Sequence, residues 1–228
     1  MKDFSQLEKK LGLKFKNKDL LIQAFVHRSY INENPKFYLE HNERLEFLGD
    51  SVLELAVAKY LFLNYKSPEG ELTNFRAALV RAETLAKIGR ELGFNDFILL
   101  SKGESEDVGR ARTLILANTF EAFLGAIFLD QGFKKCEDFI KKHLIKELSQ
   151  IIEKGSFKDS KSLFQEKAQE IFKITPVYKA LSEKGPDHAK IFAVGVFLAK
   201  ELIAKGQGFS KQEAELMAAK NALKAKGW

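Results

Sequence analysis

Three carboxylates lie three and four residues apart in the segment from Asn42 to Asp50, and this spacing constrains the fold more than any other feature of the chain. Glu43, Glu46 and Asp50 fall on one face of a helix at that spacing. Their mutual repulsion is costly unless a cation or solvent screens it. The same helix has an apolar side, formed by Leu45, Leu48, Val52 and Leu53. The segment therefore predicts a helix that can be buried on one side and that carries clustered oxygen ligands, which suit hard divalent cations such as Mg²⁺.

A second polar pair lies downstream, inside an apolar helical run. Asn118 and Glu121 are three residues apart between residues 114 and 129, where the remaining side chains are largely apolar. Polar groups amid so much apolar surface point toward another element rather than freely into water. If this helix packs on the first one, the polar groups converge on one site made of Glu43, Glu46, Asp50, Asn118 and Glu121. The alternative is a solvated helix face with unrelated charges.

Apolar spacing predicts helices through the first two thirds of the chain. Apolar residues recur at intervals of three and four in six segments: Ser5–Leu11, Asp19–Ser29, Asn42–Leu63, Glu71–Leu92, Arg112–Leu129 and Cys136–Lys154. No strand pair is predicted there. Residues 1–153 are therefore predicted to form an all-α domain.

The pattern changes after a polar, glycine-containing segment at residues 154–160, which we interpret as a linker. Beyond it the predicted order is α-β-β-β-α, so residues 161–228 are predicted to form a small α+β domain. Its elements are a helix at Lys161–Phe172, strands at Thr175–Leu181, Lys190–Ala199 and Glu201–Lys205, and a last helix at Lys211–Lys226.

The excess positive charge is concentrated in that second domain. The chain carries a net charge of +6, and residues 157–228 hold 13 Lys and no Arg against 8 Asp or Glu, a net +5. A small basic module beside a nearly neutral larger one suggests a polyanion-binding attachment. The alternative is that these charges only keep the protein surface soluble and bind no polyanion.

Several classes of protein are disfavoured by the composition. A single cysteine, Cys136, excludes an intramolecular disulfide and fits a reducing compartment. The amino terminus lacks the apolar stretch of a secretory signal, and no run approaches the ~18 apolar residues of a membrane span. We therefore expect a cytoplasmic protein without a membrane partner. The four histidines show no metal-ligand spacing, so no zinc site is expected.

The segment before the last helix favours phosphate binding. Ser210 and Glu213 have the spacing of a capping box, and the helix start can present free amides to an anion. Lys211 adds a positive charge there. Simple helix capping is the alternative, and the α-β-β-β-α context favours the phosphate interpretation.

Residues 42–53 closely resemble the endonuclease motif of the ribonuclease III family. Further matching segments are Glu69–Thr73, Arg76–Val80, Gly109–Arg110 and Ile115–Ala122. The C-terminal module resembles a double-stranded RNA-binding domain, so the resemblance covers nearly the whole chain. It implies a homodimeric endonuclease that uses Mg²⁺, with Mn²⁺ as a substitute, to cut double-stranded RNA. The expected products carry 5′-phosphate and 3′-hydroxyl ends, and the expected substrates are precursors of ribosomal RNA and structured transcripts.

The resemblance also assigns roles to residues. It implies metal ligands at Glu46, Asp50, Asn118 and Glu121, and catalytic residues at Asp50, Glu121 and Glu43. Glu69 matches a further acidic position credited with a second metal or the attacking water. Phe47 matches an interface residue of the family dimer, with a buried core Phe as the alternative. The RNA contacts implied are Gln165, His188 in the loop at residues 185–188, Ser210, Lys211 and Gln212.

Three positions depart from the family pattern. Asn118 stands where the family usually has Asp, so the site loses a negative charge and should bind metal more weakly. Gln212 and Glu215 stand where many relatives have basic residues, which predicts weaker phosphate binding. Two other functions stay open at this point. One is a non-cleaving RNA-binding regulator, favoured by Asn118, and the other is an all-α nucleotide pyrophosphohydrolase, which would leave residues 157–228 without a purpose.

Overall fold

The structure is a computed structural model and describes residues 2–106, 109–153, 160–186 and 190–228. The chain separates into two compact units, Met1–Phe157 and Lys158–Trp228. Most of the predicted linker, residues 154–159, lies outside the described residues, and Ser160 is the first residue of a helix.

The first unit is helical, and the predicted fold class is confirmed. Its described helices are α1 (Phe4–Leu11), α2 (Lys18–Gln23), α3 (Arg28–Glu33), α4 (Glu43–Asn64), α5 (Glu69–Val80), α6 (Ala82–Glu91), α7 (Lys102–Glu106), α8 (Arg110–Gln131), α9 (Phe133–His143) and α10 (Glu147–Glu153). A short 3₁₀ turn covers Phe94–Asp96. Among the described residues between these helices, an isolated bridge joins Val26 to Leu99.

Three of the predicted helices are each split in two. The segment Asp19–Ser29 is interrupted where Val26 pairs with Leu99, and α3 begins anew because the His27 ring nitrogen accepts the Ser29 amide at 3.3 Å. The segment Glu71–Leu92 breaks at Arg81, whose backbone is extended. The segment Cys136–Lys154 is interrupted between α9 and α10. In the second and third segments apolar spacing continued through the break because both halves face the same core, whereas α3 has no buried residue.

Helices α4 and α8 cross at the centre of the first unit, and two glycines allow their backbones to touch. A Cβ atom added at Gly49 would overlap the Glu121 carbonyl oxygen and lie 2.9 Å from the Gly125 nitrogen. A Cβ added at Gly125 would overlap the Leu45 carbonyl oxygen. The close approach therefore requires glycine on both helices.

Aromatic side chains fill the space around this crossing. Phe94 contacts Phe25 and Phe123 edge to face, with ring centroids 5.0 Å apart in both pairs, and all three rings are fully buried. Such edge-to-face pairs add to the stabilisation from burial. Helix α8 therefore runs through the middle of a phenylalanine-rich core.

Helix α8 is, within the described parts of the chain, the one helix long and apolar enough to cross a membrane by length and composition. In its most apolar window, 61% of the residues are buried inside the protein. Its apolar character is accounted for by its central position in the core.

The second unit has the predicted α-β-β-β-α order. Its elements are α11 (Ser160–Phe172), β1 (Val177–Lys184), β2 (Ile191–Leu198), β3 (Glu201–Gly208) and α12 (Lys211–Lys226). The strands form an antiparallel sheet in the order β1-β2-β3. Phe164, Val196 and Ala218 belong to the core between sheet and helices. Helix α12 lies against β3 at Gly206, where a Cβ would overlap backbone atoms of Ala214 and Ala218.

The close α4–α8 crossing generates a stability prediction. Gly49→Ala should lower the free energy of unfolding by about 1–3 kcal/mol, because the new methyl group forces two backbones apart. Gly89→Ala is the matched control: its Cβ would meet its nearest neighbour, Leu116, at an ordinary 3.6 Å. That variant should be neutral or gain up to ~1 kcal/mol from helix propensity. Urea unfolding followed by circular dichroism measures both, and equal unfolding free energies for the two variants would contradict the crossing described.

Candidate active site and nucleic-acid interface

Helix α4 is anchored at its start, and this fixes the direction of its acidic face. The Asn42 backbone amide donates to the Val26 carbonyl at 2.8 Å, and its buried side-chain amide donates to the Ala24 carbonyl at 3.1 Å. Asn42 was predicted as a helix start and occupies that position, but its side chain binds the preceding segment instead of capping α4. The acidic residues of the first turn, Glu43 and Glu46, are favoured there by the helix dipole.

The crossing brings the predicted polar residues of both helices together. Gly49 contacts the backbone of Glu121, and Glu46 and Asp50 flank Gly49 on α4. Asn118 on α8 makes a side-chain hydrogen bond with Glu46, in which the amide donates to the carboxylate. Glu46, Asn118 and Glu121 are half-buried, and Asp50 is exposed. The structure therefore forms one acidic cleft from residues that lie about 70 positions apart in the sequence.

Burial and like charges raise the pKa values of two carboxyl groups in this cleft, those of Glu121 and Glu46. Burial raises the pKa of Glu121 to about 8, and the nearby carboxylates of Asp50, Glu46 and Glu54 add to the shift. The pKa of Glu46 is also raised, first by burial and then by Glu43 and Asp50, while the Asn118 hydrogen bond lowers it. In the absence of a cation, Glu121 is therefore largely protonated at neutral pH.

The donor set fits a hard divalent cation. It consists of three carboxylates and one amide oxygen, and Mg²⁺ and Mn²⁺ prefer such oxygen ligands. Across the residues that the structure describes, no group of three or more His, Cys, Asp or Glu side chains stands ready to hold an ion. Mutual repulsion and the Glu46–Asn118 hydrogen bond oppose closer gathering of the carboxylates. The metal ligand set Glu46, Asp50, Asn118 and Glu121 stays a prediction.

Two further acidic residues named by the resemblance, Glu43 and Glu69, have partners outside the four-residue cluster. The exposed Glu43 carboxylate lies 3.5 Å from the Arg28 guanidinium and 3.8 Å from the His41 ring. Glu69 is the first residue of α5, where it accepts a hydrogen bond from Thr73 at 3.2 Å. Glu69 is not among the groups that shift the pKa values of Glu46 and Glu121, and a second metal there stays a prediction.

Sequence reasoning missed one acidic residue and its partner. Glu54 continues the spacing of Glu46 and Asp50 by one turn and contributes to the raised pKa of Glu121. Its carboxylate lies 3.0 Å from the Nε atom of Arg76 on α5. The spacing of four could have identified Glu54. Arg76 begins a segment that matches the family pattern, but nothing in the sequence indicated that it pairs with Glu54 on another helix.

Phe47 is exposed, so the alternative of a buried core Phe is wrong. It lies on α4 with 79% of its surface accessible, and Leu55 and Phe62 on the same helix are also exposed. Beside it is a cavity of about 640 Å³, whose walls include Leu20, His41, Leu45, Phe47 and Leu129. An exposed apolar strip next to such a cavity is typical of a protein–protein interface.

In the second unit, the predicted capping box is present in part: Ser210 caps α12, but the Glu213 carboxylate reaches the amide of Phe209, one residue before the cap. The Ser210 hydroxyl accepts the Glu213 amide at 3.1 Å, and the Glu213 carboxylate accepts the Phe209 amide at 2.9 Å. Lys211 is exposed and lies 3.1 Å from Glu183 of β1. Its ammonium group is thus held beside the start of α12, where the helix dipole favours anions.

The remaining predicted RNA contacts are accessible where the structure describes them. Gln165 on α11 and Gln212 on α12 are exposed, and His188 lies outside the described residues. Glu215 forms an ion pair with Lys161 at 2.6 Å, which sequence reasoning did not anticipate. Glu215, which departs from the family pattern described above, therefore also forms an ion pair with a lysine of α11.

Two family models match the chain. Residues 17–148 match a model described as Ribonuclease-III-like, and residues 160–226 match the Double-stranded RNA binding motif.

Relatives and solved structures agree with these matches. Ribonuclease 3 of Oceanobacillus iheyensis is 47% identical over 225 residues, covering 97% of this chain and 97% of that protein. Ribonuclease 3 of Streptococcus gordonii is 46% identical over 218 residues, covering 94% of this chain and 92% of that protein. A solved nuclease domain of ribonuclease III from Campylobacter jejuni is 41% identical, with a TM-score of 0.57 and coverage of 64% of this chain and 97% of that one. Another structure of that domain concerns flexibility in a region involved in dimer formation.

The resemblance first indicated by the acidic motif is thereby confirmed along nearly the full chain. The chain belongs to the ribonuclease III family of endoribonucleases, with a double-stranded RNA-binding domain following its helical nuclease domain.

Proposed function

We propose that this protein cuts double-stranded RNA in a reaction that depends on Mg²⁺, with Mn²⁺ as a substitute, and leaves 5′-phosphate and 3′-hydroxyl ends. The observation that supports this most is the meeting of Glu46, Asp50, Asn118 and Glu121 where α4 crosses α8. Family membership sets aside the nucleotide pyrophosphohydrolase alternative.

We assign a role to each of the four polar side chains of the cleft. Glu46, Asp50, Asn118 and Glu121 would hold the cation, and a bound cation would supply a water molecule of lowered pKa and a positive charge opposite the phosphate. Glu121 must give up its carboxyl proton to serve as a ligand, because its pKa is raised to about 8. Asp50 and Glu121 would also act on the reacting phosphate, and the exposed Glu43 would orient substrate or neighbouring side chains.

Asn118 can still contribute to the site although it lacks the negative charge of Asp. Its amide nitrogen donates to Glu46, which holds that carboxylate in place, and its amide oxygen remains available to a cation. We infer that this arrangement weakens metal binding but preserves cleavage.

The second unit recognises duplex RNA by shape. Gln165 addresses one minor groove and the loop with His188 the next, while Ser210, Lys211 and Gln212 contact the phosphates between them. The capped start of α12 and the nearby Lys211 ammonium group support the phosphate contact.

A symmetric homodimer explains the exposed apolar strip on α4. Phe47, Leu55 and Phe62 would otherwise expose large apolar surfaces to water, and two-fold pairing is the commonest way to bury such a strip. Each cleft then cuts one strand of the duplex. We place the protein in the cytoplasm, acting on precursors of ribosomal and transfer RNA and on structured messenger RNA.

Replacing one ligand tests the cleavage proposal. Glu121→Gln should lower cleavage of a long RNA duplex by at least about 100-fold, because the cleft loses a charged ligand of the cation. Glu83→Gln, at an exposed carboxylate on α6, should cut like wild type. The assay follows product formation on denaturing gels, with duplex binding measured separately by gel shift. Equal cleavage rates for wild type and Glu121→Gln would overturn the proposal.

A charge restored at position 118 separates the nuclease from the RNA-binding regulator. Asn118→Asp should lower the Mg²⁺ concentration needed for half-maximal cleavage by roughly three- to tenfold, since it adds a negative charge to the ligand set. Wild type should still cut at higher Mg²⁺. If wild type cuts at no Mg²⁺ concentration while Asn118→Asp cuts readily, the regulator is the correct interpretation.

The raised pKa of Glu121 predicts proton release when metal binds. Below a pH of about 8 the carboxyl group holds a proton that a cation must displace, so metal affinity should rise with pH up to about 8 and then level off. Calorimetric titration with Mn²⁺ at pH 7, in buffers of different ionisation enthalpy, measures the protons released. The same titration at pH 9 is the control and should show little release. Absence of release at pH 7 would contradict the predicted role of Glu121.

A further inference from the structure

The acidic face of α4 continues beyond the predicted metal ligands. Glu43, Glu46, Asp50 and Glu54 follow each other at spacings of three and four, so they share one side of the helix. Glu54 is close enough to Glu121 on α8 to contribute to its raised pKa. Glu54 is therefore a further carboxylate of the same cleft, at the end opposite to Glu43.

Each end of this acidic row faces an arginine. Arg28 lies 3.5 Å from Glu43, and Arg76 lies 3.0 Å from Glu54. Among described residues, no ion pair within 4.0 Å joins a basic side chain to Glu46, Asp50 or Glu121. Negative charge without a protein counterion is thus concentrated at the middle of the row, where the two helices cross.

The Arg76–Glu54 pair is the better fixed of the two. Both side chains are half-buried, with 39% and 38% of their surfaces exposed, whereas Arg28 is 67% exposed. Arg76 is also set in position by its own helix, because its neighbour Phe75 and the residue one turn on, Leu79, are buried in the core. Reduced solvent contact makes an ion pair less subject to screening.

We propose that Arg76 is a positioning residue for the metal site: by pairing with Glu54 it keeps this carboxylate out of the ligand set and sets the negative charge that the cleft presents to a cation. The inference rests on the proposed metal site. Loss of Arg76 leaves Glu54 as an extra anion beside Glu121, and loss of Glu54 leaves Arg76 as an unpaired cation beside the same ligands. The two losses must therefore change metal affinity in opposite directions.

Metal binding without RNA tests this directly. Free Mn²⁺ is titrated against the full chain and followed by electron paramagnetic resonance at pH 8. Arg76→Gln should bind Mn²⁺ roughly tenfold more tightly than wild type, and Glu54→Gln roughly tenfold more weakly. The double variant should return to within about threefold of wild type, because both charges of the pair are gone.

Two further variants distinguish the effect of the Arg76 charge on metal affinity from a purely structural effect of breaking an ion pair between helices. Arg76→Lys keeps the positive charge and should retain wild-type affinity, although it loses the planar fork of the guanidinium. Lys59→Gln breaks a comparable ion pair, the 2.8 Å contact between Lys59 of α4 and Glu137 of α9, and should leave Mn²⁺ affinity unchanged. Circular dichroism verifies the fold of every variant before titration.

The outcomes distinguish this inference from the proposed function. If wild type binds no Mn²⁺, the metal site itself is wrong and the inference falls with it. If wild type binds Mn²⁺ but Arg76→Gln and Glu54→Gln both weaken binding or both leave it unchanged, the pair only joins α4 to α5. In that case the inference is overturned and the proposed nuclease function stands.

Discussion

The backbone contact between α4 and α8 is the constraint on which the rest of the structure depends. Gly49 and Gly125 have no side chains that would hold the two helices apart. Because the backbones touch there, the neighbouring acidic and amide groups lie together in one cleft. Phe25, Phe94 and Phe123 pack against one another in the same core that contains the buried side chains of both helices. The site is thus built on two long helices that pack against each other in the core, and helices hold side chains more firmly than loops do.

This arrangement stores electrostatic repulsion in the folded protein. Glu121 is half-buried beside Asp50, Glu46 and Glu54, and its pKa of about 8 shows that ionisation is opposed there. A cation that binds in the cleft reverses this penalty, so its binding energy is coupled to deprotonation of the carboxyl group. On the proposed function, the same repulsion that disfavours ionisation of Glu121 would favour binding of a divalent ion in the cleft.

The sequence predicted the parts of the fold and site that have a local period. Three features follow from residues within one or two turns of each other. They are the carboxylate spacing on α4, the polar pair Asn118 and Glu121 on α8, and the spacing of Ser210 and Glu213 at the start of α12. Contacts between separate segments were not predictable in this way. The Glu54–Arg76 pair joins two helices, and the split of the segment 71–92 depends on an extended residue, Arg81, that interrupts no apolar pattern.

The central claim is that oxygen atoms from two crossing helices share one divalent ion. Anomalous diffraction from crystals of the full chain soaked in Mn²⁺ tests it most directly. The account predicts a peak at about 2.0–2.6 Å from oxygen atoms of Glu46, Asp50, Asn118 and Glu121, the range for hard cations and oxygen ligands. A peak that contacts only one of the two helices, or none in this cleft at saturating Mn²⁺, would contradict it.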